Sequence, residues 1–187
     1  ILNISPDHLE RHKTINKYVS AKFKLLKNQS KKDFAILNTK NFYIKKKLKS
    51  KNFLPKIIKI KKKINNNFLK KINNQYFNTD GNRENLGFIL EVAKILKLKK
   101  NFLVKTLNKF KGLKYRQEII YQSKKLTIIN DSKATSFSSS VSLLKSLTDV
   151  YWIVGGQAKK GDKLILSKKN CKNFKAYIFG TNKNFFI

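Results

Sequence analysis

"KLTIINDSKATSFSSSVSLL", residues 125–144, is the stretch on which the fold turns. An apolar run, Leu126 to Ile129, gives way to an acid, a hydroxyl, an amine and a second hydroxyl, and then to small residues followed by apolar ones. That order reads as a buried strand, a polar turn and a helix start. Asp131 is a scarce resource there, because the chain carries 43 Lys and Arg against 10 Asp and Glu. A turn of this composition can bind a ribose or a phosphate, with the backbone N–H groups of the helix start assisting. Equally, Asp131 or Ser132 can simply cap the helix.

Further apolar runs surround this stretch: "EIIY" (118–121), "VYWIV" (150–154) and "AYIF" (176–179). The last two end in glycine, at Gly155-Gly156 and Gly180. Continuous apolar strands separated by helix-like segments predict a parallel sheet covered on both faces, an α/β fold. In such sheets ligands gather beyond the carboxyl ends of the strands. "GGQAKKGD" (155–162) falls at such an end, with Lys159 and Lys160 behind a glycine turn, but it lacks the spacing and the hydroxyl of a phosphate loop. A change of texture near Lys111-Gly112 predicts two domains, residues 1–111 and 112–187.

In the first domain, residues 14–27 show helical period, with Ile15, Tyr18, Val19, Leu25 and Leu26 on one face. Lys22 lies three residues after Val19 and four before Leu26, which places an amine within the apolar stripe, where it must be paired, modified or reaching for solvent. "FAIL" (34–37) reads as a buried strand, and the lysine-heavy stretch 40–75 yields only strand fragments, "NFYI" and "KIIKI". Residues 83–98 return to helical spacing, with Asn82 as the expected cap. The opening "ILNISPDHLERH" reads like a chain cut within a strand. It sets Asp7, His8, Glu10 and His12 close together, as a metal site or as a surface turn.

Composition narrows the function classes. The 187 residues are 41% hydrophobic, enough for a packed core, and no run of about 18 apolar residues could span a membrane as a helix. A single cysteine, Cys171, precludes an internal disulfide and fits a reducing compartment, so a cytoplasmic protein is expected. The net charge of +33 invites a nucleic-acid reading. Only three of the cations are arginine, however, at positions 11, 83 and 116. The lysines accompany abundant Asn, Ile and Phe, as compositional drift would produce. No specific nucleic-acid partner is expected, and a basic nucleic-acid-binding module is the rival of a different class.

In order along the chain, "ILNISPDHLERH", "YVSAK", "GNREN", "GLKYRQE", "INDSKATS" and "VGGQAKKGD" together resemble the Mur ligase family, and "NDSKAT" resembles its D-glutamate-adding branch. The resemblance implies the latter part of a central ATPase domain followed by the start of a Rossmann-like C-terminal domain. It implies an ATP-dependent ligase that works through an acyl phosphate, with UDP-N-acetylmuramoyl-L-alanine and D-glutamate as substrates, ATP and two Mg2+ ions as cofactors, and a monomeric state. Another Mur-type or folylpolyglutamate-type ligase is the alternative.

Carried over residue by residue, the resemblance makes His8 a magnesium ligand and Lys22 the lysine that carbon dioxide carbamylates to support the second ion. Asn82, Asn85, Arg116 and Asp131 then contact ATP, Lys133 the reacting groups, and Thr135 and Lys159 the carboxylates of D-glutamate. The chain departs from the family pattern at Gly81 and Tyr115, where histidine is usual, at Ser136, where asparagine is usual, and within "GGQAKKGD".

Overall fold

The structure, a computed structural model, describes residues 1–50, 52–60, 64–157, 162–167, 173–180 and 183–185. It divides into two compact units: Ile1–Phe77 with Asn82–Phe110, and Asn78–Gly81 with Lys111–Ile187. The described residues form a mixed α/β structure, and none of their helices is long and apolar enough to cross a membrane.

In the first unit, a short helix α1 (Leu9–His12) leads into α2 (Ile15–Lys27), where Thr14 Oγ1 accepts the Lys17 N–H at 3.2 Å and so caps the helix. Its buried stripe is Val19, Phe23 and Leu26, with Leu25 turned out to solvent. Lys22 is exposed, which corrects the expectation of an amine inside the apolar stripe. The stripe is centred on Phe23, and Lys22, one residue and about 100° away around the helix, lies at its margin.

β1 (Phe34–Leu37) and β2 (Lys56–Lys59) pair in parallel, with Ala35 opposite Ile57, and α3 (Phe42–Lys49) forms the crossover between them. "NFYI" is therefore a helix start and not a strand. Asn41 Oδ1 accepts the Ile44 N–H at 3.2 Å, Ile44 is fully buried, and Lys45, Lys46 and Lys49 are exposed. Val19, Phe23, Leu26, Leu37 and Ile44 form the core of this half.

A second cluster lies between α5 (Asp80–Ile95) and α6 (Lys100–Lys109), which follow a short helix α4 (Asn66–Leu69). Leu86, Ala93, Leu103 and Leu107 meet Phe77 there, while Ile89 and Leu96 are exposed. α5 begins at Asp80, so Asn82 is not its cap. Asn82 lies buried inside the first turn and its Nδ2 donates to the Tyr76 carbonyl at 2.7 Å.

In the second unit, β3 (Glu118–Gln122) and β4 (Thr127–Asn130) form an antiparallel hairpin, with Ile119 opposite Ile129 and a bulge between Ile119 and Tyr121. Ser123 N–H closes the turn on the Leu126 carbonyl at 2.8 Å. Residues 123–126 alone join the strands, and a parallel connection needs a dozen residues or more. β5 (Val150–Gly155) and β6 (Phe174–Phe179) are parallel, in register from Val150 opposite Phe174 to Gly155 opposite Phe179. The single parallel sheet expected from the apolar runs is thus replaced, among the described residues, by three two-stranded sheets, one of them antiparallel.

α7 (Phe137–Leu144) packs on β5 through Phe137 and Trp152, whose rings lie 6.1 Å apart. On the strands' other face, Tyr151, Ile153, Tyr177 and Phe179 are exposed, and Tyr151 stacks on Tyr177.

Candidate functional site

In the first unit the candidate metal residues collect around one aromatic ring. His8 stands at the start of α1 in the left-handed region, φ 53°, and its own N–H donates to Asp7 Oδ1 at 2.9 Å. Its imidazole is half exposed, 3.5 Å from Asp7 Oδ2 and 3.6 Å from Glu10 Oε1. The Tyr18 ring lies 6.4 Å from that of His8 and 5.1 Å from that of His12, and Lys22 Nζ is 5.1 Å from the Tyr18 centroid. His8 and Lys22 are thereby brought to a common neighbour, although their positions are 14 apart in the chain.

This donor set can be tested against magnesium. Among the described residues no three His, Cys, Asp or Glu side chains are grouped to hold a metal. A closed protein cage is therefore not built there. Magnesium does not require one: it keeps several waters and is held by one or two protein oxygens together with substrate phosphates. The Asp7 and Glu10 carboxylates beside His8 offer oxygens that fit that open pattern.

Asn82 and Asn85 lie three apart on α5, on one face of the helix, with Asn85 half-buried. Asn82 is engaged with Tyr76, and Arg83 Nε donates to the Phe77 carbonyl at 3.2 Å.

In the second unit "NDSKATS" folds against the loop before β3. Asp131 Oδ1 accepts the Gln117 N–H at 3.0 Å, and Oδ2 takes the Ser140 hydroxyl at 3.4 Å. The Lys133 N–H donates to the Tyr115 carbonyl at 2.9 Å, and Ser132 N–H to Asn130 Oδ1 at 3.0 Å. Tyr115 and Gln117 both take positive φ, 65° and 49°, so the backbone turns sharply on either side of Arg116. Arg116, Lys133 and Thr135 are exposed around this half-buried carboxylate. Burial pushes the Asp131 carboxyl above its ordinary value of 3.8, against the Gln117 and Ser140 hydrogen bonds and the Arg116 charge, which pull it down.

Neither Asp131 nor Ser132 caps α7. Ser136 stands at the cap position with no side-chain cap bond, and the Phe137 N–H is taken by Asp162 Oδ2 at 2.7 Å. Lys159 and Cys171 lie outside the described residues. Sequence reasoning overlooked Tyr18, Gln117, Ser140 and Asp162. Only Asp162 carried a usable signal, as one of 10 acids in a lysine-rich chain, inside an already suspect motif.

In the second unit a half-buried carboxylate thus follows β4, with the Arg116 charge acting on it. The sequence pattern of the Mur ligase middle domain matches residues 1–105, and the chain belongs to the Mur ligase family. It is similar to proteins named UDP-N-acetylmuramoylalanine–D-glutamate ligase. That of Rickettsia prowazekii (strain Madrid E) is 32% identical over 203 residues, covering 100% of this chain and 46% of the relative. That of Francisella tularensis subsp. novicida (strain U112) is 31% identical over 189 residues, covering 99% and 44%. That of a Wolbachia strain from Brugia malayi is 30% identical over 200 residues, covering 100% and 40%. The chain spans less than half the length of these relatives.

Proposed function

We propose that this chain is part of an ATP-dependent ligase, and that the whole protein joins D-glutamate to UDP-N-acetylmuramoyl-L-alanine in peptidoglycan synthesis. Residues 1–111 belong to the central ATPase domain and 112–187 to the C-terminal domain, in a cytoplasmic monomer. The observation that carries this reading is the "NDSKAT" turn itself. Asp131 is held by Gln117 and Ser140, and the Lys133 N–H by Tyr115, so the turn is fixed by its own hydrogen bonds. The family match and the relatives' names support the same reading.

In the proposed reaction the substrate carboxylate takes the terminal phosphoryl group of ATP, and the D-glutamate amine then displaces phosphate from the acyl phosphate. Both steps concentrate negative charge, so fixed cations dominate the catalysis. Lys133 offsets the charge on the reacting phosphoryl oxygens, and Arg116 reaches the nucleotide from the turn that positions Asp131. Asp131 accepts from the ribose hydroxyls, and Asn82 and Asn85 line the nucleotide. Thr135 and Lys159 hold the two carboxylates of D-glutamate; a hydroxyl and an ammonium left unpaired would reject amino acids lacking those oxygens. His8 and carbamylated Lys22 would hold two magnesium ions, which supply charge neutralisation to the phosphates.

The test is phosphate release from ATP by a full-length protein containing this chain, with UDP-N-acetylmuramoyl-L-alanine present and D-glutamate compared with L-alanine, L-glutamate and diaminopimelate. Release dependent on D-glutamate is expected. A preference for another amino acid would overturn the assignment.

A further inference from the structure

Arg116 is exposed on a loop whose backbone is held at each residue. Tyr115 and Gln117, on either side of it, take positive φ, and outside glycine such conformations persist only where the surroundings impose them. The Tyr115 N–H donates to Glu118 Oε2 at 2.7 Å, and its carbonyl accepts the Lys133 N–H at 2.9 Å. The Arg116 N–H donates to the Leu113 carbonyl at 3.1 Å, and the Gln117 N–H to Asp131 Oδ1 at 3.0 Å. These partners belong to the loop's own neighbourhood or to the "NDSKAT" turn. A further bond comes from elsewhere: the buried Thr79 hydroxyl donates to Gln117 Oε1 at 3.2 Å, across 38 positions of sequence. Thr79 lies in Asn78–Gly81, a segment of the second unit, and the Gly81 N–H donates to Ser142 Oγ of α7 at 2.8 Å. A Cβ at position 81 would stand 3.1 Å from that oxygen, so the segment docks as closely as a residue without a side chain permits. The hydroxyl that grips Gln117 is thus presented from an anchored base.

We infer that Thr79 is a positioning residue for the nucleotide site: through the Gln117 side chain it fixes the loop that carries Arg116 and the N–H that orients Asp131, without itself touching the nucleotide. The inference rests on the roles proposed for Arg116 and Asp131 at ATP. A long side chain delivers its charge only as accurately as its backbone is placed, and a carboxylate aimed by one N–H is aimed only as well as the residue bearing it. A left-handed residue is also under steric pressure to leave that conformation. A side-chain tie from outside the loop therefore acts where the backbone is readiest to move.

The test uses the full-length ligase, with KM for ATP and for D-glutamate, kcat and Tm measured for wild type, Thr79→Val, Thr79→Ser, Gln117→Asn and the double variant Thr79→Val, Gln117→Asn. Thr79→Val keeps the shape and loses the hydroxyl. It should raise KM for ATP about two- to tenfold, the range of one neutral hydrogen bond, and leave KM for D-glutamate within about twofold. Thr79→Ser keeps the hydroxyl and should stay near wild type. Gln117→Asn suits left-handed backbone better than glutamine, but its shorter side chain does not reach Thr79. Its Tm should hold or rise while KM for ATP climbs as in Thr79→Val. The double variant should be no worse than either single one, as two ends of one contact require. Additive effects, a lowered Tm in Thr79→Val with KM for ATP unchanged, or equal rises in both KM values would make the pair a structural prop and overturn the inference. Where Thr79→Val does not fold, Gln117→Asn decides, and a wild-type KM for ATP in that variant sinks the idea. Arg116→Ala separates the two levels of the argument. An unchanged KM for ATP in Arg116→Ala would refute the proposed nucleotide role of the loop, whereas a raised one beside a wild-type value in Thr79→Val would refute this inference alone.

Discussion

The Lys22 ammonium lies 5.1 Å from the centre of the Tyr18 ring, one turn earlier on α2. A ring face attracts a cation and repels an anion, so this arrangement favours the free amine over a carbamate. Replacing Tyr18 with leucine should lower the bicarbonate concentration needed for half-maximal ligase activity by about two- to fivefold, the range of an exposed cation–π contact. An unchanged or raised requirement in a bicarbonate titration would show that the ring plays no such part.

Lys22→Ala tests the proposed carbamate directly. Turnover of the full-length enzyme should fall by about a hundredfold or more, as expected for loss of a charge-stabilising group, and added short carboxylates should restore part of it. Wild-type activity in the variant would remove Lys22 from the mechanism.

Asp131 has its carboxyl raised by burial above 3.8. A folded-state value above the unfolded one means that the native protein binds the proton more tightly. Stability is then lost as pH rises from the ordinary carboxylate value through the raised one. Asp131→Asn should flatten the Tm-against-pH curve in that window and be at least as stable as wild type at neutral pH. Its KM for ATP should rise. A steeper loss of Tm in the variant would contradict the sign.

Leu86 is fully buried at the centre of the α5–α6 cluster. Leu86→Ala should cost about 2–5 kcal/mol, the range for a large aliphatic side chain removed from a close-packed core, read from urea unfolding. Gly155 presents the opposite case: a Cβ there would fall 2.3 Å from the Phe179 carbonyl oxygen across the β5–β6 pair. Gly155→Ala should destabilise by about 1–3 kcal/mol, as overpacking does, although alanine is ordinarily the better strand residue. A neutral Gly155→Ala would mean that the strand ends move apart freely.

The sequence showed α2, β1, β2, α5 and all four later strands, because each carries an apolar period or run long enough to identify itself. It misled at "NFYI", where aromatic and β-branched residues suggest a strand but Asn41 caps a helix. The hairpin was also legible in the connection length, since residues 123–126 are too few to bridge parallel strands. α6 was legible too, since Leu103, Val104 and Leu107 stand at helical spacing and Leu103 and Leu107 are its buried residues. At the site, the residue types of the "PDH" and "NDSKAT" motifs were visible, but their supports were not. Gln117 serves Asp131 through its backbone N–H, and a backbone donor leaves no trace in residue identity.

His8 occupies a left-handed conformation, φ 53°, that a glycine or asparagine would adopt with less steric objection. A library screened only for heat tolerance should therefore enrich amide or glycine replacements at position 8. On the metal-binding role proposed for His8, the survivors would be sturdier proteins and poorer catalysts, so thermal selection alone would erase the proposed chemistry at that position.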